Sequence, residues 1–84
     1  MPYRVLISRS AERELNSLPL PVRARIQEKI LHLTEEPRPH GATKLEAQDL
    51  YRLRVGSYRV IYSISDKEHI AVILVVGHRS QVYR

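Results

Sequence analysis

The sequence holds no cysteine, which excludes a disulfide framework, a thiolate metal site and cysteine nucleophily, and fits a reducing compartment. No apolar stretch of signal-peptide type stands behind the opening Met-Pro-Tyr-Arg. The longest uninterrupted apolar run, Ile70 to Val76, falls far short of the roughly 20 residues a spanning helix needs. A soluble, cytoplasmic protein with no membrane partner is expected. Internal repeats and low-complexity segments are missing, and no His-Asp-Glu spacing resembles a metal site. With 84 residues, the chain has room for a single domain, residues 1–84. Its core should be thin, because a chain of this size buries only about 60 % of the surface its unfolded form exposes.

What is abundant is arginine. Fourteen basic against nine acidic side chains give a net charge of +5, and eleven of the fourteen are arginine. Lysine supplies diffuse solubilising charge, whereas the flat guanidinium forks onto phosphates and carboxylates. This balance points to an RNA, DNA or acidic protein partner, set against the plainer reading of a merely soluble basic domain.

Tyr3 to Ile7 reads as a short strand. Ser8 or Ser10 then caps a helix with Glu12 and Glu14 in its first turns and Ala11, Leu15 and Leu18 on one stripe. Pro19 stops it, and Pro21 begins a second helix whose stripe is Val22, Ile26, Ile30 and Leu33, with Arg23, Arg25, Glu28 and Lys29 facing water. Glu35 to Thr43, with two prolines and a glycine, reads as a loop. The period then changes to alternation. Leu50 to Val55 and Tyr58 to Ser65 are strands joined by the two-residue turn Gly56-Ser57, and a second turn near Asp66-Lys67 leads into Ile70 to Val76, expected to be buried on both faces. The expected class is α+β: a strand, a helical hairpin, then a three-stranded antiparallel meander, with the helices covering one face.

A two-residue turn fixes the pairing. Val55 must face Tyr58, Arg54 must face Arg59, Leu53 faces Val60, Arg52 faces Ile61 and Tyr51 faces Tyr62. One face then carries Tyr51, Leu53, Val55, Tyr58, Val60 and Tyr62 for helices to cover. The other gathers Arg52, Arg54 and Arg59 in a segment with no acidic residue from Leu50 to Ser65. Like charges directly opposite destabilise a sheet. Solvent screening and protection against edge aggregation are one explanation; a preorganised phosphate site is the one favoured here. The end of the last strand, Gly77-His78-Arg79, returns to this same end of the sheet, and Gly77 is a candidate bulge. His32 and His40 read as surface residues, Asp66 and Glu68 as turn and strand-start residues. Lys44 reads equally as an RNA contact or a solvated side chain.

Leu53-Arg54-Val55-Gly56-Ser57-Tyr58-Arg59-Val60-Ile61-Tyr62 and Val76-Gly77-His78-Arg79-Ser80-Gln81-Val82-Tyr83 strongly resemble the RelE/ParE toxin superfamily, and Ala11 to Pro19 and Lys44-Leu45 fit as well. The resemblance implies a toxin of a type II toxin–antitoxin module with the RelE-like fold. RelE-like members cut messenger RNA in the ribosomal A site; ParE-like members share the fold, inhibit DNA gyrase and lack the nuclease residues. Arg59 resembles the strand arginine that grips the scissile phosphate, Arg79 the arginine after the last strand, and Tyr83 the tail tyrosine at the attacked nucleotide. Arg52 occupies a position that is basic in the nucleases, whereas Leu50 stands where relatives place a second basic residue, which keeps a non-catalytic antitoxin-binding relative as an alternative beside the ParE-like inhibitor. Arg54, Lys44, His78 and Arg84 complete the expected RNA-binding set. The implied chemistry is attack by the substrate's own 2′-OH, with no metal, cofactor or protein nucleophile. Arginine stays protonated, so His78, Tyr83 or groups of the RNA and ribosome are the candidates for proton transfer. The implied partners are the ribosome, mRNA and an acidic, RelB-like antitoxin whose C-terminal segment wraps the toxin, in higher toxin–antitoxin complexes.

Overall fold

A computed structural model describes residues 2–45 and 49–78. In chain order these form β1 (Arg4–Ile7), α1 (Arg9–Asn16), α2 (Leu20–His32), β2 (Ala42–Leu45), β3 (Leu50–Val55), β4 (Tyr58–Ser65) and β5 (Ile70–His78). The strands make one sheet in the order β1-β5-β4-β3-β2. The chain starts at one edge, crosses a sheet face through both helices, and restarts at the far edge. It then returns strand by strand in antiparallel hairpins until β5 lies parallel to β1.

The α+β class therefore holds, with two corrections to the expected arrangement. The meander has four strands rather than three, because Ala42–Leu45 pairs antiparallel with β3. Four residues without apolar alternation, directly after two prolines and Gly41, carry no strand signal of their own, and their partner makes them a strand. The sheet is also mixed rather than antiparallel, since β1 pairs parallel with β5 across a separation that no local pattern encodes.

The helices begin where capping chemistry allows. Of the two candidate serines, Ser8 is the N-cap, its Oγ accepting the Ala11 amide at 3.2 Å. Glu12 lies in the first turn, favourable at the positive end of the helix dipole. In α2 Pro21 sits in the first turn, where a missing N–H costs no helical bond. The core is one cluster: Ala11 and Leu15 from α1, Ile26, Ile30 and Leu33 from α2 and its C-cap, and Leu53, Val55, Val60, Tyr62, Ala71, Ile73 and Val76 from the sheet, with Leu18, Val22, Tyr51 and Tyr58 packed against its margin. Burying a Leu or Ile side chain contributes about 1.5–3 kcal/mol, so both helical stripes stabilise the sheet they cover. Strand β5 is buried on the helix side only. Ala71, Ile73 and Val76 are buried while Ile70, Val72 and Val75 are half-buried, which corrects the expectation of burial on both faces. Among the described residues no helix is long and apolar enough to cross a membrane.

Candidate functional site

The β3–β4 hairpin has the register its two-residue turn requires, from Val55 opposite Tyr58 to Tyr51 opposite Tyr62. Gly56 takes φ +60° while Ser57 stays out of the left-handed region, the pattern of a II′ turn, whose twist matches the flanking strands. Leu53, Val55, Val60 and Tyr62 consequently face the helices. Arg52, Arg54 and Arg59 share the opposite face, with Arg54 directly across from Arg59.

On its other side Arg59 is paired with Gly77 of β5, so the guanidinium stands between another arginine and a position with no side chain. The Nε of Arg59 is withdrawn from solvent, and Ile61, between Arg52 and Val75 in the register, is buried on this same face. With no side chain at Gly77, a phosphate approaching beside it would meet the Arg59 guanidinium, and a charge-assisted hydrogen bond there is strong.

The remaining expected residues are distributed less evenly. His78 lies opposite Tyr58, on the helix side of the sheet, its ring edge-on to the tyrosine at 5.5 Å between centroids. The bulge is at Leu74 rather than Gly77: Ile61 pairs with Val75 but Tyr62 with Ile73. Lys44 pairs with Tyr51, again on the helix side, and its Nζ is 3.7 Å from an Asp49 carboxylate oxygen, apart from the arginines. Arg79, Tyr83 and Arg84 lie outside the described residues. Arg25, read from the sequence as merely solvent-facing, extends from α2 to the hairpin turn. Its Nη2 is 3.7 Å from where a Cβ on Gly56 would stand, beside a cleft of about 250 Å³ lined by Val22, Val55, Ser57 and Tyr58.

The other end of the hairpin is built differently. Arg38, from the loop before β2, forks onto Asp66 at 3.0 and 2.8 Å, and its Nε donates to the Tyr51 hydroxyl at 2.9 Å. Tyr3 donates to the same carboxylate at 2.6 Å, while its ring meets His69 edge-on at 5.0 Å. The Arg38 and Tyr3 hydrogen bonds hold the Asp66 carboxyl down to about 2. Tyr62, stacked on Tyr51, donates to the Pro37 carbonyl at 2.8 Å, and burial pushes its hydroxyl up to about 12. Asp66 is thus more than a turn residue: it ties the residue leading into β1, the loop before β2 and the β4–β5 turn together.

The sequence matches the family model described as "ParE toxin of type II toxin-antitoxin system, parDE" over residues 5–83. The chain belongs to this toxin family. Relatives divide its members further, and this chain sides with the RelE-type toxins. It is 36% identical to Toxin RelG of Mycobacterium tuberculosis, covering 100% of this chain and 99% of the relative. It is 31% identical to the mRNA interferase toxin RelE of Escherichia coli, covering 99% and 92%. Among solved structures, the archaeal RelE–RelB complex from Pyrococcus horikoshii has a chain that superposes with a TM-score of 0.86 at 39% identity, over 98% of this chain and 100% of that one. The toxin–antitoxin complex RelBE2 of M. tuberculosis gives 0.83 at 34%, over 94% and 100%.

Proposed function

We propose that this RelE-family toxin is a ribosome-dependent endoribonuclease that cuts messenger RNA in the A site and so stops translation. The observation that carries the reading is the Arg54–Arg59 register: two like charges held across from each other, with Arg52 beside them and Gly77 leaving room at Arg59. In the step we envisage, the 2′-oxygen of the substrate loses its proton and attacks the adjacent phosphorus. The bond to the 5′-oxygen breaks, that oxygen takes up a proton, and the products are a 2′,3′-cyclic phosphate and a 5′-hydroxyl. Arg59, with Arg52 and Arg79, would neutralise the charge that builds up on the pentacoordinate phosphorane, and aimed cationic donors are a large source of rate enhancement. No metal or protein nucleophile is needed for that route. His78 stands on the other side of the sheet from the arginines, which leaves Tyr83 and groups of the RNA and ribosome for proton transfer. Arg54 and Arg84 would bind flanking phosphates.

Two similar toxins were solved in complex with antitoxins, and the relative from E. coli is named an mRNA interferase. By the same likeness, an acidic antitoxin with a segment that folds along this toxin would neutralise the arginine face. The family model's ParE description favours a second reading, a gyrase inhibitor without catalysis. Induced expression followed by mapping of transcript 5′ ends separates the two. Cuts confined to translated frames, with cyclic phosphate at the upstream ends, support the nuclease; intact transcripts with DNA-damage signalling select the inhibitor.

A further inference from the structure

Strand β1 ends at Ile7, opposite Ile73, whereas β5 continues from Leu74 to His78. Among the described residues no strand lies along that side of β5 beyond Ile73. Helix α1 stands in for the missing strand. The Ser8 amide donates to the Ile73 carbonyl at 2.9 Å, the Ser8 hydroxyl to the Leu74 carbonyl at 3.3 Å, and Glu14 Oε1 accepts the Val76 amide at 2.8 Å. Val76 is only 2% exposed, so water is a poor substitute for that acceptor. A carboxylate also makes a stronger hydrogen bond than a neutral group would.

The position of this bond matters for the arginine face. A one-residue slip in a strand exchanges its faces. The extra residue at Leu74 puts Val76 in the core opposite Val60, and hence Gly77 opposite Arg59. Without it the pairing would continue unshifted, bringing Val76 opposite Arg59 and Gly77 opposite Tyr58. The open floor beside Arg59 would then be filled by an isopropyl group. Glu14 grips the backbone two residues past the bulge, where the two registers diverge.

We propose that Glu14 is a positioning residue for the arginine site: by accepting the Val76 amide it holds β5 in the bulged register that keeps Gly77 beside Arg59. The role rests on the nuclease reading above. It is tested on the full chain with Glu14→Leu, which removes the acceptor, and Glu14→Gln, which keeps a carbonyl oxygen there. Glu14→Asp, one methylene too short to reach, replaces the leucine variant if that one does not fold. Amide exchange by NMR is read at Val76 against Val60, alongside kcat and KM for cleavage of ribosome-bound message. Glu14→Leu should speed Val76 exchange about tenfold or more while Val60 stays protected. It should lower kcat about tenfold with KM little changed, as expected of a misplaced site. Glu14→Gln should restore most of both. Unchanged exchange, or unchanged cleavage beside an active wild type, overturns the positioning role alone. A folded wild type that cuts no message removes the nuclease reading and the role with it, whatever the exchange rates are.

Discussion

The two ends of the β3–β4 hairpin use arginine in opposite ways. Beyond its open end Arg38 meets a carboxylate, two tyrosine hydroxyls share the network, and the group joins segments distant in the chain. At its turn Arg54 faces Arg59, with Arg25 reaching over the glycine from the helix side. The first arrangement is satisfied within the chain and needs nothing added. The second sets like charges opposite each other in a domain too small to carry much surplus stability. An arginine matched by a carboxylate ties the fold together, whereas the arginines set across from each other are, on the proposed reading, the ones that receive the phosphates of RNA. The net charge of +5 cannot make that distinction, but register can.

The comparison breaks first at Arg59. Arg59→Ala should remove about 3 kcal/mol or more of transition-state stabilisation, a loss of a hundredfold or greater in single-turnover cleavage of ribosome-bound message. Arg59 faces away from the helices, so the variant should still fold. Arg59→Lys should recover only part of the rate, because an ammonium cannot fork across two phosphate oxygens. Wild-type cleavage by a folded Arg59→Ala protein would end the assignment of transition-state stabilisation to Arg59.

The open end predicts the reverse pattern. Tyr62→Phe leaves the Pro37 carbonyl without its donor. With the Tyr62 hydroxyl raised to about 12, that donor is present throughout the neutral range. Its loss should cost about 1 kcal/mol, or roughly 4–8 °C in Tm for a domain of this size, with cleavage per folded molecule unchanged. A fall in cleavage comparable to that of Arg59→Ala would mean that the two ends are not separate in function.

How much of this was legible in the sequence follows from the range of each interaction. The hairpin register was fully readable, since a two-residue turn leaves the strands one way to pair and alternation chooses the buried face. Both helical stripes were readable for the same local reason: Ala11 and Leu15, then Ile26 and Ile30, recur at the helical period and are buried. Strand β2 and the β1–β5 pairing were not, because each depends on a partner brought up by the finished fold. Arg38 and Asp66 are 28 positions apart and Glu14 and Val76 are 62 apart, and no spacing rule reaches so far. The bulge shows why the placement of His78 was hard to read. Whether it stood with the arginines or with Tyr58 depended on one extra residue, and apolar run Ile70 to Val76 gives no sign of where that residue falls. The arginine set was legible only as far as the hairpin carried it.

A charge reversal sharpens the comparison by turning one kind of end into the other. Arg54→Glu would place a carboxylate directly opposite Arg59, giving the turn the pairing that Arg38 and Asp66 have. Cross-strand opposite charges contribute about 0.2–1 kcal/mol, so Tm should rise by a few degrees. Binding to RNA should weaken, and its dependence on salt should become shallower by about one phosphate contact or more. A variant that is both more stable and equally good at binding RNA would show that the repulsion serves no anion.

The smallest effect is a pH dependence at the open end. Arg38 and Tyr3 hold Asp66 at about 2, below its ordinary 3.8, so the unfolded chain binds this proton more tightly than the folded one. The stability Asp66 contributes is therefore fully present above its unfolded value and is lost as pH falls through the range from about 4 to 2. The pair is solvent-exposed, which keeps the contribution modest and sensitive to salt. Tm measured against pH for the wild type and for Asp66→Asn isolates it from the other carboxylates. The two curves should run apart by a constant amount above pH 5 and converge as the pH drops toward 2. Curves that stay parallel down to pH 2 would mean that Asp66 is not held in its charged form by Arg38. The open end would then owe its order to the stacked tyrosines and the Pro37 hydrogen bond, and the contrast between an arginine paired with a carboxylate and arginines facing each other across the strands would lose its electrostatic half.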